Sequence, residues 1–335
     1  MRKHISLKDL AAELNLSVST VSRALRDSYD ISAAVKQRVN DLARERGYTP
    51  NPMAQALIGR SSNLIGIIVP DFVTHFYSSI INGIESVIRP ESYYALVTSS
   101  HESHENEIEA INNMLNIRAG GLIICLSQET DDYAHLYRLR ELEVPTVYVD
   151  RVPPGNDLYS VVSDNFESAY KLTRHLIDRG MRRIAFVGGP AYLNITRERR
   201  DGYRQALVDA GIRADHSHII ETQLGPYDGS PVFERIRALD PVPEAVVCMN
   251  DTILYGLALE IRHRDDPAMN DLYVVGFTDK LYSRLAFPGM LTSAHPAFEM
   301  GQMAAQKVLQ LIRGEKHLKK QEICQCHLDP GDDIR

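Results

Sequence analysis

The sequence predicts an all-α helix-turn-helix head, a short linker and an α/β body of two lobes. Three observations lead there. Residues 1–60 hold ten Lys/Arg against six Asp/Glu, a balance of +4, so the rest of the 335-residue chain carries −11 of the net −7. A small basic head on an acidic body points the head toward a polyanion. Residues 16–25, LSVSTVSRAL, set four hydroxyl side chains and an arginine on one helix-sized stretch, which is poor material for a core. From Leu64 onward, short apolar runs alternate with amphipathic segments, the pattern of parallel sheets covered on both faces.

In the head, Ser6 caps a helix reaching Leu14, and Asp9 three residues later completes a capping-box-like start. Leu7, Leu10, Ala11 and Leu14 share one face of it. Asn15-Leu16 break the pattern, Ser17 caps a second helix running to about Arg26, and a third runs from after Ser32 to Gly47. Its apolar positions are Val35, Val39, Leu42 and Ala43. Three short helices with a tight turn between the first two make a helix-turn-helix domain, residues 1–48. On the second helix, Ser17, Ser19, Thr20 and Ser22 suit phosphate oxygens, together with the free N–H groups at its start. Arg23 lies on the same face and can reach guanine O6 and N7, while Val21 and Leu25 turn inward. The plainer reading of this stretch is a solvated, hydroxyl-rich face. Residues 49–63, TPNPMAQALIGRSSN, are a linker; Pro52 suits a first helical position, but PMAQAL is too short for a stable isolated helix.

In the body, residues 64–335, the apolar runs are LIGIIV (64–69), YALVT (94–98), GLIICL (121–126), TVYVD (146–150), RIAFVG (183–188), HII (218–220), AVVCM (245–249) and YVVGF (273–277). Eight strands exceed what one compact sheet usually carries, which divides the body near Val162-Ser163-Asp164. Clefts in open α/β sheets form at strand carboxyl ends. That rule nominates Phe76, Tyr77, Ser127, Asp150, Arg151, Arg199, Asn250, Thr278 and Asp279, with Asp251 beside Asn250. Aromatics and polar groups converging from several strands suit a sugar-like small molecule. Asp150 and Asp251 could equally cap helices, and Phe76 could pack between the lobes.

The run ISLKDLAAELNLSVSTVSRALRDSYDISAAVKQRVNDLARERGYTPNPMAQAL resembles the head of the LacI/GalR (lactose-repressor) family of bacterial transcription regulators. The likeness continues through IGIIVPD, IRAGGLII, VPTVYVDR, SDNFESAY, HLIDRGMRRIAFVGGP, RRDGYRQAL, MNDTILYGLALE and VVGFTDKLYS. The resemblance implies a body like the periplasmic sugar-binding proteins, with an N-lobe of about 64–162 and 294–328 and a C-lobe of about 163–293. It returns the last helix, near 297–313, to the first lobe. It implies that the linker folds as a hinge helix on double-stranded operator DNA, with Leu57 wedged into the minor groove and Ala54 beside it. Ser6 and Asn51 join the DNA contacts, and base reading falls to Val18, Ser19 and Arg23. Val18 offers only apolar contact, for example with a thymine methyl. The resemblance further implies a homodimer or tetramer, and an effector held by Arg199 and by an aspartate at position 278. Here Thr278 stands there, with Asp279 next, a departure that weakens the case for an unmodified neutral sugar.

Cys125, Cys248, Cys324 and Cys326 read as buried free thiols of a reducing compartment, with Cys324-Gln325-Cys326-His327 as alternation in a terminal strand. No apolar leader or ~18-residue apolar run is present, so a cytoplasmic location without a membrane partner is expected. His101 and His104 in HESHE lack a third ligand at a matching spacing and read as a hydrophilic helix start; no metal or cofactor is expected. No catalytic residue is nominated, because no phosphate-binding glycine loop or nucleophile elbow falls in the right context. A sugar- or nucleotide-handling α/β enzyme is the alternative. A transport binding protein is the third class, disfavoured by the helix-turn-helix head and the missing export signal. The regulatory reading is a repressor, its effector either releasing DNA or tightening on it.

Overall fold

The structure, a computed structural model, describes residues 5–25, 27–48, 62–155, 157–213, 215–224, 229–278 and 290–329. It divides into two units, Met1–Ser62 and Asn63–Arg335.

In the first unit, α1 (Leu7–Leu14) starts with a full capping box: the Asp9 N–H donates to Ser6 Oγ, and the Ser6 N–H donates to Asp9 Oδ2 at 2.8 Å. Asn15 ends it in the left-handed region, φ 53°, which asparagine tolerates well. Three residues later α2 (Val18–Leu25) begins, and α3 (Ala33–Glu45) closes the unit. Leu10, Ala11, Val21, Ala24, Val39 and Ala43 form its core. Ala24, one helical step from Val21, takes the deep position, and Leu25 is only partly buried beside it.

In the second unit, a first lobe is built from β1 (Leu64–Val69), α4 (His75–Ile88), β2 (Tyr94–Ser99), α5 (His104–Asn116), β3 (Gly121–Ile124), α6 (Ala134–Glu141), β4 (Thr146–Val149) and β5 (Ser160–Ser163). The second lobe follows with α7 (Asn165–Asp178), β6 (Ile184–Gly188), α8 (Asn194–Asp209), β7 (Ile219–Glu221), α9 (Ser230–Arg237), β8 (Ala245–Cys248), α10 (Asp251–Arg264), β9 (Tyr273–Thr278) and β10 (Thr292–Ala294). The chain ends with α11 (Ala297–Ile312), β11 (Gln321–Cys324) and β12 (His327–Asp329). The sheet of the first lobe has the order β11-β5-β4-β3-β1-β2, every pairing parallel. The other sheet runs β12-β10-β9-β8-β6-β7 and is parallel except at β12. Central strands such as β3, β6 and β8 are buried along their whole length, because helices cover both faces.

All eight apolar runs are strands. Four more (β5, β10, β11 and β12) are three or four residues long; β5 and β10 leave no pattern, and the single terminal strand expected through Cys324-Gln325-Cys326-His327 is instead two, β11 ending at Cys324 and β12 starting at His327 in the other sheet. β10 ends at Ala294 in the second sheet and β12 pairs antiparallel with it, so residues 294, 327 and 328 do not belong to an N-lobe segment 294–328; that segment starts after β10 and ends with β11. Ser163 pairs with Cys324 in the first sheet, so the first lobe's share runs one residue beyond 162. The chain thus crosses between the lobes three times, after β5, after β10 and after β11.

Helices α4 and α11 touch at backbone distance. A Cβ on Gly83 would lie 2.1 Å from the Phe298 carbonyl oxygen, and one on Gly301 would lie 2.1 Å from that of Ile80. Only glycine permits this approach.

Candidate functional site

Within the first unit, the hydroxyls of α2 are occupied before any DNA arrives. Ser17 Oγ accepts the Thr20 N–H at 3.0 Å and lies 2.8 Å from both Ser19 Oγ and Thr20 Oγ1. Ser17, Val18 and Ser19 are exposed, while Thr20 and Ser22 are half-buried. Arg23 is exposed too, but its Nη1 donates to Asp30 Oδ2 at 2.5 Å, and its Nε is 3.4 Å from the Ser19 carbonyl. A base contact by Arg23 therefore exchanges an exposed ion pair, a weak interaction, for a bidentate one. Ser6 donates its hydroxyl to Asp9 Oδ2 at 2.7 Å, so its first role is to start α1. Asn51, Ala54 and Leu57 lie outside the described residues.

Within the second unit, strand carboxyl ends of both lobes frame one cavity of about 320 Å³. Seven of the nine nominated effector residues line it: Phe76, Tyr77, Asp150, Arg151, Arg199, Asn250 and Thr278. Asp279 lies outside the described residues. Ser127 is not on the wall. Its N–H donates to Glu107 Oε2 at 2.6 Å and its hydroxyl is 2.8 Å from Thr130 Oγ1. Glu107 is fully buried and also takes Thr130 Oγ1 and His135 Nε2, so this turn is folded back onto α5. The neighbouring Gln128 faces the other lobe instead. It accepts the Leu224 N–H at 2.7 Å and donates to the Leu224 carbonyl at 3.3 Å.

Arg199 is the centre of the wall, 2% exposed. Its Nε donates to Asn165 Oδ1 at 2.8 Å, its Nη1 to the Met249 carbonyl, and its Nη2 to His295 Nε2 at 3.3 Å. Its guanidinium lies 4.0 Å over the Phe277 ring. Arginine has no acceptor, so His295 Nε2 must be unprotonated. Burial, and secondarily the Arg199 charge, hold the His295 imidazole well below its usual pKa. The neutral ring then places its Nδ1 3.3 Å from Ser163 Oγ and 3.7 Å from Cys326 Sγ. Ser163, His295 and Cys326 sit on the three crossovers, so one side chain on the cavity wall touches all of them.

Arg151 donates to Glu102 Oε2 at 2.7 Å and to the Leu126 carbonyl at 3.3 Å. Asp150 is 4% exposed, and burial raises its carboxyl while Arg199 and Arg151 pull it down. Asn250 caps α10 by accepting the Ile253 N–H at 3.0 Å, which leaves Asp251 to face the cavity rather than to cap. Thr278 Oγ1 is 2.5 Å from Tyr255 Oη, so the residue replacing the expected aspartate is tied into the wall.

Several wall residues escaped the sequence reading: Asp71, Thr74, Glu102, Leu224, Phe277 and His295 among them. Asp71 and Glu102 follow β1 and β2 and obey the same strand-end rule. His295 follows β10, a three-residue strand without a sequence signature.

Burial pushes the Asp251 carboxyl up to about 6, with Asp71 adding repulsion. The folded-state value lies above the unfolded one, so this group's stabilisation is complete below pH ~4 and is lost as pH rises through ~6. Asp251→Asn is therefore expected to stabilise the ligand-free protein by about 2–3 kcal/mol at pH 8, and not at pH 4. Thermal melts at the two pH values check this; equal effects at both would remove the buried charge from the account.

Among the described residues no group of three His, Cys, Asp or Glu could hold a metal, and no helix is long and apolar enough to cross a membrane. The four cysteines are free, and burial raises the Cys324 thiol to about 11 and that of Cys326 to about 12, far from a reactive thiolate.

Comparison with known proteins accounts for both units. Residues 6–51 match the family model of bacterial regulatory proteins of the lacI family, and residues 62–328 match that of periplasmic binding proteins and the sugar-binding domain of the LacI family. The chain belongs to the LacI family. This LacI-family protein is 30% identical to the HTH-type transcriptional regulator RegA of Clostridium saccharobutylicum over 92% of each chain. A solved CelR–cellobiose complex superposes with a TM-score of 0.72 at 25% identity, over 97% of this chain and 98% of that one. The lac repressor dimer bound to operator and an anti-inducer has the same fold, with a TM-score of 0.81 at 24% identity over 97% and 98%. The chain is accordingly a DNA-binding transcriptional regulator, and the enzyme alternative falls with its family membership.

Proposed function

We propose that this regulator is a repressor whose operator affinity is set by a sugar-like small molecule in the cavity between the lobes, and that it acts in the cytoplasm as a homodimer. The observation that carries the reading is the cavity itself, lined from both lobes at strand carboxyl ends. The CelR–cellobiose complex supports a sugar-like occupant, and the operator-bound lac repressor dimer supports two heads on one pseudo-palindromic site.

The mechanism follows from the contacts. Gln128–Leu224 joins the lobes across the cavity, as do the bonds of Asn194 to the Asp150 carbonyl and the Val152 N–H, both 3.0 Å. A ligand that strengthens or breaks this set changes the angle between lobes. His295 joins Arg199 on the wall to the crossovers about which that angle changes. The linker, Asn51, Ala54 and Leu57 included, then converts the angle into the fit of two heads on DNA. Ligand and operator affinities are coupled reciprocally, typically by ~1–3 kcal/mol.

The test is fluorescence anisotropy of labelled promoter fragments against scrambled DNA, with and without a panel of sugars and uronates. A preference for one promoter that some sugar shifts is the expected result. No preference under any condition overturns the proposal. In the same assay Arg23→Ala is expected to lose about 1–3 kcal/mol on the preferred site and little on scrambled DNA. Equal losses would make Arg23 a phosphate contact.

A further inference from the structure

The charges around the cavity do not cancel among the described residues. Arg151 is matched by Glu102 at 2.7 Å, and Asp150 is the foremost charge partner of Arg199. That leaves two carboxylates, Asp71 and Asp251, both on the cavity wall. They come from different lobes: Asp71 follows β1, and Asp251 opens α10. Asp71 Oδ1 is taken by the N–H groups of Val73 and Thr74, each at 2.8 Å, and by Thr74 Oγ1 at 3.1 Å. Asp251 Oδ1 takes the Thr252 N–H at 2.8 Å. Neither forms an ion pair with a described lysine or arginine. A second feature points to a ligand. The carboxyl of Asp150, a residue 4% exposed on the same wall, has as its one hydrogen-bond partner among the described residues the Cys125 thiol, at 4.0 Å, although a buried carboxylate calls for a strong donor. The buried Nε of Arg151 likewise has no partner among the described residues.

We propose that the effector is a sugar-sized polyol bearing an ammonium group, held by Asp71 and Asp251 from the two lobes. This rests on the small-molecule reading above and names its ligand class. An ammonium is a compact charge with three donors, able to serve two carboxylates at once. Empty, the cavity sets like charges against each other across the lobe boundary, which opposes closure. Filled by a cation, the same pair draws the lobes together. A neutral polyol satisfies Asp150 but leaves that repulsion in place.

The test is isothermal titration of the full chain near neutral pH with three matched pairs: D-glucosamine and D-glucose, D-galactosamine and D-galactose, D-mannosamine and D-mannose. In the pair whose stereochemistry fits, the amine is expected to bind about tenfold tighter or more. Asp251→Asn removes both the ammonium's partner and the repulsion across the lobes, so it is expected to erase most of that preference by weakening the amine and tightening the neutral sugar. Asp71→Asn, which keeps an acceptor for the Val73 and Thr74 N–H groups, is expected to do the same. A neutral sugar that binds as tightly as its amine, or a preference that survives in both variants, overturns the inference alone. Binding by no member of any pair overturns the sugar-like reading with it.

Discussion

Arg199→Met is expected to abolish the response to effector and to destabilise the second unit by about 3–5 kcal/mol, because it strips a buried charge from its partners. Methionine fills much of the volume against Phe277 but donates nothing. The Met249 carbonyl, Asn165 Oδ1 and His295 Nε2 lose their donor, and Asp150 loses its foremost neutralising charge. His295 then has no reason to keep its present orientation toward the three crossovers. The first unit has its own core and cap, so DNA binding should survive while its dependence on ligand disappears. Thermal melts and anisotropy with and without ligand measure both halves. A variant that melts like the parent and still responds to ligand would show that Arg199 is a bystander.

Gly301→Ala is expected to cost about 3 kcal/mol, well beyond the ~1 kcal/mol that alanine gains in helix propensity. The added methyl would sit 2.1 Å from the Ile80 carbonyl oxygen, a backbone atom that moves only if α4 or α11 moves. Those helices also place ligand-facing groups. Phe76 lies in the first turn of α4, and His295 lies just before α11, their rings 5.1 Å apart. Forcing the helices apart should therefore weaken ligand binding as well as lower the melting temperature. An unchanged melt would mean that the helices do not meet at glycine.

Local pattern was enough for much of this molecule. A capping box, a helix-breaking asparagine and apolar residues at helical spacing specify the three helices of the head, because each of these signals lies within a few residues of chain. Buried parallel strands announce themselves as apolar runs, and the strand-end rule found seven wall residues because it depends on chain direction alone. What depended on distant partners stayed hidden. Ser127 stands at a strand end like its neighbours, yet a buried glutamate from α5 draws it away from the cavity. His295 has no local signature, yet Arg199, 96 residues before it, and Ser163, 132 residues before it, make it the link between wall and crossovers. The surplus negative charge needed the fold too, since composition counts carboxylates but only packing shows which ones meet a cation. Periodicity and chain direction are properties of a segment; pairing, burial and charge balance belong to segments brought together.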